Sequence, residues 1–183
     1  MTHFKIGGVH EHFNYPWHYG IEKGIFKAKD IALDWVDMHG GTGQMVEALH
    51  TGELDGCVLL TEGIAKAINE GLEATIVHVH VQSPLRWGIH VPTDSNIQEF
   101  NDLKNEPFAI SRHGSGSHLM AYVKADQNGW DLDNDLQFKV VNNLEGGLQA
   151  LENHDCKAFL WEKYTTAPYV DAGRCRYIDE VKT

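Results

Sequence analysis

The chain has 183 residues, 42% of them hydrophobic, so it can bury a core as one large domain or as two smaller lobes. Its formal net charge is −11, its pI is about 5.4, and it contains no basic run, which argues against a nucleic-acid or anionic-membrane surface. A small molecule is therefore the expected partner. No apolar stretch reaches the roughly 20 residues of a membrane span, and the first residues lack the apolar region of a signal peptide, so we expect a soluble chain.

Apolar runs alternate along the chain with segments of helical periodicity, which is typical of βα units packed on a mainly parallel sheet. The sequence therefore predicts an α/β fold. In the first half the predicted strands are 4–9, 31–38, 57–60 and 75–81, and the predicted helices are 16–29, one that Thr42 caps and Gly52 ends, and one from Thr61 to Asn69.

Two prolines, Pro84 and Pro92, bracket an extended segment around Trp87, and this change of pattern predicts a hinge or lobe boundary. The alternation then restarts. In the second half the predicted strands are 108–111, 136–141, 157–161 and a return strand at 176–178, and the predicted helices are 96–103, 117–128 and 147–153. After Glu162 the chain is expected to leave through Pro168 without a helix.

A glycine- and serine-rich loop at 111–118 lies between the apolar run Phe108–Ser111 and the helix predicted from Ser117. Such a junction aims backbone N–H groups and hydroxyls at one point, where an anionic or strongly polar group can be held. An ordinary serine-capped helix start explains the same residues. The recurrence of such loops after other strands favours a binding site.

Ligands of open α/β sheets bind beyond the carboxyl ends of the strands, so the loops that follow the strands should converge. There Trp17, Trp161 and Trp87 are candidate flat apolar walls, although each tryptophan fits ordinary core packing equally well. Candidate hydrogen-bonding groups are Thr42, Ser115, Ser117 and Asn143.

Several short sequence patterns occur in a fixed order along the chain. The first half carries Tyr19–Phe26 followed by Ile31–Leu33, and then Ala48–Gly56. The second half carries Gly114-Ser115 opening a helix, and the stretch 148–162 ending in a Trp/Glu pair. Together these patterns resemble the type II periplasmic-binding-protein superfamily. Within it, the chain is most similar to the branch that binds aliphatic sulfonates, taurine, nitrate and thiamine-pyrimidine precursors.

The resemblance implies a two-lobed, periplasmic-binding-protein-like II fold that closes on a small anionic or heteroaromatic solute and passes it to the membrane component of an ABC transporter. It implies a first lobe over 1–88, a second over 89–178, and 179–183 as the start of a return segment. The implied ligand contacts in lobe one are Phe13, Tyr15, Trp17, Thr42, Gly43 and Thr61. Those in lobe two are Ser115, Gly116, Ser117, Asn143, Trp161 and Glu162, with Arg112 as the charge partner of an anion.

Two departures from that family are expected to matter. Its members carry a signal sequence or a lipid-anchor cysteine, and a C-terminal segment that returns to complete lobe one. Neither is recognised in this sequence, so we expect a fragment, or a first lobe that is completed differently, for example by a partner subunit. Both a periplasmic and a cytoplasmic location stay open.

Enzymes of the same fold are the main alternative, namely a thiamine-pyrimidine synthase or a chorismate dehydratase of menaquinone-precursor synthesis. The pairs His10/His12 and His78/His80 place imidazoles two residues apart, as a metal site in a strand requires, and Glu11, Glu62, Glu145 and Glu162 offer carboxylates near the predicted cleft. No cysteine-rich cluster is present, since Cys57, Cys156 and Cys175 lie far apart. The sequence therefore predicts a non-enzyme without metal or cofactor, with a metabolite sensor that forms a homodimer as the third alternative.

Overall fold

The computed structural model describes residues 1–182 and confirms the α/β class, because strands and helices alternate along the chain. The chain forms two compact units: the first unit is Met1–Gln82, and the second unit begins at Ser83. Within residues 1–182, no helix has both the length and the apolar character needed to cross a bilayer.

The first unit is built on three parallel strands in the order β2-β1-β3. Met38, Met45, Ala48 and Leu54 form its buried core, and Gly7 of the central strand leaves no room for a Cβ atom beside Leu54. The elements are β1 (Thr2–Gly8), α1 (Tyr15–Glu22), β2 (Ile31–Asp37), α2 (Gly41–His50), β3 (Gly56–Val58) and α3 (Thr61–Asn69).

Three predictions for the first unit are wrong in detail. The helix predicted over 16–29 ends at Glu22, because Gly24 adopts a left-handed conformation (φ 66°), and 27–29 form only a 3-10 turn. Helix α2 begins at Gly41 after Gly40, so Thr42 is not its cap. The strand predicted over 75–81 has no sheet partner within residues 1–182, because high β propensity forms a strand only where a neighbour supplies hydrogen bonds.

The second unit is built on a five-stranded sheet in the order β6-β5-β7-β4-β8. Strands β6, β5 and β7 are parallel, whereas β4 is antiparallel to both of its neighbours, β7 and β8. The elements are β4 (Arg86–Val91), β5 (Pro107–Ile110), α4 (Gly116–Gln127), β6 (Gln137–Val140), α5 (Leu144–Glu152), β7 (Ala158–Glu162), α6 (Lys163–Asp171) and β8 (Arg176–Lys182).

The sequence missed three features of the second unit. Helix α6 follows β7 directly and contains Pro168, in a stretch where the sequence predicts no helix. Helix α5 begins at Leu144, three residues before the predicted start. The helix predicted over 96–103 is only a 3-10 turn, Phe100–Leu103, which a capping box between Glu99 and Asp102 stabilises.

The core of the second unit lies where α5 meets the middle of the sheet. Leu148 and Leu151 of α5 and Phe159 of β7 are each fully buried there. Gly147 lies so close to the Phe159 ring that a Cβ atom would overlap it, so the glycine sets how closely helix and sheet approach. This contact sets how closely the first turns of α5 pack on β7.

A buried histidine connects β4, β7 and α6. His90 is 1% exposed, its Nδ1 lies 3.1 Å from the Phe159 carbonyl oxygen, and its Nε2 lies 2.8 Å from the Thr166 hydroxyl. A carbonyl only accepts, so Nδ1 carries the proton and Nε2 accepts from Thr166. Burial lowers the pKa of His90 to about 4, because the charged imidazolium is poorly solvated in the core.

We expect stability to fall as the pH decreases from about 6.5 to 4. In that window His90 is protonated in the unfolded chain and neutral in the folded chain. Its contribution to the free energy of unfolding, about 3 kcal/mol in full, is therefore present above pH 6.5 and lost towards pH 4. Urea unfolding at several pH values measures it. His90→Gln should remove this part of the pH slope and the exposed-site control His50→Gln should not; equal slopes in all three proteins would contradict the assignment.

Candidate functional site

Three helices of the second unit begin at the same edge of its sheet. Parallel strands β5, β6 and β7 end there, and α4, α5 and α6 follow them after short connections or none. The carboxyl ends of parallel strands are where α/β proteins place their ligands, and helix N-termini supply N–H groups without intrahelical acceptors. This edge, called the carboxyl edge below, holds all the site residues predicted in the second unit.

The loop 111–115 between β5 and α4 is held by its own serines. The Ser111 N–H donates to Ser117 Oγ at 3.1 Å, and the Ser115 and Ser117 hydroxyls lie 3.0 Å apart. Ser115 also caps α4 by accepting from the His118 N–H at 3.4 Å. Ser115 and Ser117 are each 2% exposed, so their hydroxyls shape the loop, and Gly116 presents its backbone in the first turn of α4.

Arg112 is the cation of this loop. Its side chain is half-buried, and it forms no ion pair or hydrogen bond with any part of residues 1–182. Burial lowers the pKa of Arg112 below its ordinary value, because it removes water from the charged guanidinium. An anion bound at this point would offset that loss of solvation.

The remaining predicted residues of the second unit have structural contacts at the carboxyl edge. Asn143 Oδ1 caps α5 by accepting from the Gly146 N–H at 2.9 Å. Glu162 is 3% exposed and caps α6 by accepting from the Thr165 N–H at 2.7 Å. Trp161 is half-buried, with its ring 5.3 Å from that of Phe159. These residues follow the parallel strands, as the sequence analysis expects, and Asn143 and Glu162 act there as helix caps.

A charged network at the same edge was missed. Because β4 is antiparallel, its first residues lie beside the last residues of β7, and Arg86 there holds Glu180 of β8 at 2.7 Å. Lys163 and Lys182 lie 3.1 and 3.6 Å from the same carboxylate. Arg86 first, and Lys163 and Tyr177 after it, lower the pKa of Glu180 to about 2. Three cations on one carboxylate leave this network positively charged.

In the first unit, Phe13, Tyr15 and Trp17 follow β1. Tyr15 is 62% exposed, and Phe13 is half-buried. Trp17 is engaged in packing: its ring is stacked 6.0 Å from Phe26 and also lies 6.0 Å from Trp35. Its role as a flat ligand wall is therefore less well supported than its role in the aromatic core.

Thr42, Gly43 and Thr61 lie in the first turns of α2 and α3. The Thr42 methyl group fills the space beside Gly63 where a Cβ atom would be, so this threonine packs α2 against α3. Gly43 and Thr61 are exposed. These helices follow the parallel strands β2 and β3, so the residues share the carboxyl edge of the first sheet with the loop after β1.

The histidine pairs of the sequence analysis have different surroundings. His80 donates from Nε2 to the Phe13 carbonyl oxygen at 2.9 Å, and its ring lies 5.9 Å from that of Trp17. His78 is exposed, as are His10 and His12. His80 is thus a packing residue that holds the loop after β1.

Buried Asn14 is a residue that sequence reasoning overlooked. It is 1% exposed, and its Nδ2 donates to the Val9 carbonyl oxygen at 2.8 Å, which fixes the loop after β1. Its Oδ1 is buried without a partner within residues 1–182. An asparagine beside a proline-led helix looks like a solvent-exposed cap in the sequence, so nothing there signalled its burial.

Comparison with known proteins identifies relatives for both units. A sequence model of the family described as Ca3427-like PBP matches residues 87–181, just over half of the chain. The solved structure of the Candida albicans CA3427 gene product, which exhibits the generic periplasmic-binding-protein fold, is 28% identical with a TM-score of 0.88. That match covers 100% of this chain and 60% of the Candida protein, so the chain spans well under two thirds of that relative.

More distant structures share the fold alone. The Escherichia coli periplasmic aliphatic sulphonate binding protein SsuA is 19% identical with a TM-score of 0.71, over 98% of this chain and 57% of that one. PhnD1 from Prochlorococcus marinus, solved with methylphosphonate, is 14% identical with a TM-score of 0.73, over 99% of this chain and 73% of that one. No match was found among curated proteins.

Ser117→Ala should destabilise the second unit. The substitution leaves the Ser111 N–H, at a position 9% exposed, without its acceptor, which costs about 1–3 kcal/mol. Urea unfolding followed by tryptophan fluorescence measures the change, with Ser83→Ala at an exposed site as the matched control. Equal unfolding midpoints for the two variants would show that the serine network does not hold the loop.

Proposed function

The chain belongs to the Ca3427-like family of periplasmic binding proteins, and we propose that it is a solute-binding protein whose ligand carries an anionic group held beside Arg112. The observation that carries this proposal is the guanidinium of Arg112, which is half-buried without an anionic partner in residues 1–182. It lies in the loop that leads into the twelve-residue helix α4, whose N-terminal N–H groups favour negative charge.

The charge distribution supports an anion over a cation. The chain as a whole has a net charge of −11, which attracts cations to most of its surface. At the carboxyl edge of the second unit the balance is reversed, because Arg86, Lys163 and Lys182 surround Glu180 and because Arg112 forms no ion pair with any residue from 1 to 182. An anionic solute is therefore favoured at this edge.

The ligand class that we propose is a small sulfonate or phosphonate. Two solved proteins of the same fold bind an aliphatic sulphonate and methylphosphonate. A tetrahedral oxyanion presents three oxygens, which suits one guanidinium together with adjacent helix N–H groups. A heteroaromatic ligand is less well supported, since Trp17 is committed to an aromatic cluster.

We further propose that each of the two units is one lobe of the binding protein. In the first unit Phe13, Tyr15, Gly43 and Thr61 stay proposed ligand contacts, because each lies after a parallel strand with its side chain or backbone partly or fully exposed. Delivery of the solute to the membrane component of an ABC transporter belongs to the same proposal.

The carboxylates support a binding role over catalysis. Glu145 lies 2.8 Å from Arg174, and this ion pair keeps the pKa of Glu145 below its ordinary value. Glu162 is buried as the cap of α6. An enzyme that uses a general acid needs a carboxyl group whose pKa is raised. The pKa of Glu145 is instead lowered by its ion pair, and the Glu162 carboxylate is used as a helix cap.

Thermal unfolding with candidate solutes tests the proposal. The buffer must itself contain no sulfonate. Added taurine, methanesulfonate or methylphosphonate should then raise the melting temperature, and the rise should grow with ligand concentration as RT ln(1 + [L]/Kd) requires. Mass spectrometry should recover the added compound unchanged. Free arginine serves as the cationic control. Conversion of a compound would favour an enzyme, and stabilisation by arginine alone would contradict an anion site.

Arg112→Gln should weaken binding of the stabilising anion. Loss of a charge-assisted contact worth about 1.5–3 kcal/mol corresponds to a roughly 10- to 100-fold higher Kd. Isothermal titration calorimetry measures it, and Lys157→Gln, which removes the same charge just before β7 at the opposite end of the sheet, should leave the Kd unchanged. Equal losses in both variants would indicate only a general effect of net charge.

A further inference from the structure

The loop that carries Arg112 closes in a tight turn at 112–115. The Ser115 N–H donates to the Arg112 carbonyl oxygen at 3.2 Å, which joins the first and fourth residues of the turn. Gly114 has a φ of 76°, and His113 before it is not in the left-handed region, which is the pattern of a type II β-turn. The hydrogen bond of the turn does not use the peptide between the two central residues, so a partner outside the turn sets the orientation of that peptide.

His118, in the first turn of α4, is that partner. Its Nδ1 accepts from the Gly114 N–H at 3.0 Å, and its backbone N–H donates to Ser115 Oγ at 3.4 Å. Because Nδ1 accepts a hydrogen bond, the imidazole must be neutral and must carry its proton on Nε2. The neutral ring of His118 therefore holds the turn on which Arg112 lies.

Aromatic side chains enclose the His118 ring. Tyr122 of α4 and Phe138 of β6 have ring centroids 5.0 and 4.5 Å from it, and the ring of His113 in the turn lies 5.2 Å away. His113 and Tyr122 are the titratable groups among these contacts, and the contact from β6 is uncharged. Partial burial, and after it the charge of His113, lower the pKa of His118 below its ordinary value.

We propose, building on the anion site at Arg112, that His118 is a positioning residue for this arginine, and that protonation of its Nδ1 releases the turn and weakens anion binding. A proton on Nδ1 would face the Gly114 N–H, so two donors would replace the hydrogen bond. Glycine at the third turn position then allows the peptide to reorient at little cost. The anion would have to order the loop as it binds, which lowers its affinity.

Protonation has a second effect, of opposite sign. A positively charged His118 would attract the anion, whereas loss of its hydrogen bond would disorder the loop that presents Arg112. Two substitutions separate these effects. Asparagine places an uncharged acceptor close to the position of Nδ1, and phenylalanine keeps the ring packing against Tyr122 and Phe138 without any acceptor.

Isothermal titration calorimetry with methanesulfonate at pH 7.5 and pH 5 tests the effect on binding. This anion stays ionised at both pH values, and at pH 5 the buried His90, with a pKa of about 4, is still mostly neutral. The wild-type Kd should rise roughly 3- to 10-fold at the lower pH, as expected for one lost hydrogen bond. His118→Asn should bind as wild type does at pH 7.5 and should not show the rise. His118→Phe should bind roughly 3- to 10-fold more weakly than wild type at pH 7.5.

The neighbouring histidine provides the matched control. His113→Asn removes an imidazole from the same turn and leaves His118 in place, so the rise in Kd should persist. An equal rise in His118→Asn, or wild-type affinity in His118→Phe at pH 7.5, overturns the proposal. A wild-type protein that does not bind methanesulfonate at pH 7.5 would count against the anion site itself, and would overturn the role of His118 in binding with it.

NMR of the free protein tests the turn without any ligand. At pH 7.5 the ¹⁵N shifts of the His118 ring should show a proton on Nε2 and none on Nδ1, and the Gly114 amide should be protected from exchange with solvent. As the pH falls to 5, the protection factor of the Gly114 amide should decrease together with protonation of His118 in wild type, and should be retained in His118→Asn. A proton on Nδ1 at pH 7.5, or protection that does not follow the titration of His118, overturns the proposal even where the anion binds.

Discussion

The junction between a parallel strand and the helix that follows it is the constraint on which the second unit depends. Helix α6 starts at the residue after β7, and α4 and α5 start within a few residues of β5 and β6. Each helix must then satisfy its first N–H groups at the edge of the sheet, and Ser115, Asn143 and Glu162 supply the acceptors. The carboxyl edge is polar because the fold requires caps there.

That requirement explains why capping and ligand binding are hard to separate in this sequence. Ser115, Ser117, Asn143 and Glu162 have the residue types and positions of ligand contacts, and each has a structural hydrogen bond. Arg112 differs from them because no part of its own loop requires a guanidinium. A residue whose chemistry the fold does not use is the stronger indicator of a ligand.

The sequence predicted the α/β class, and it predicted that the candidate residues of the second unit follow the ends of parallel strands, because apolar runs and the glycines between them are local signals. It could not predict the contact of Arg86 with Glu180, since these residues are far apart in sequence and meet only because β4 is antiparallel. The burial of His90 was hidden for the same reason, as its partners lie on β7 and α6. The strand predicted at 75–81 was wrong because local propensity does not supply a neighbouring strand.

The pairing of β4 with β8 has a consequence for how the second unit folds. These neighbours enclose β5, β6 and β7 between them along the chain, so the unit begins and ends on adjacent strands. Closing so long a loop has a large entropic cost that only the rest of the sheet can offset. During synthesis the ribosome must therefore release β8 before the ladder can close, and long-range pairing of this kind slows folding. One edge of β4 therefore stays unpaired until β8 has been synthesised and has added to the sheet.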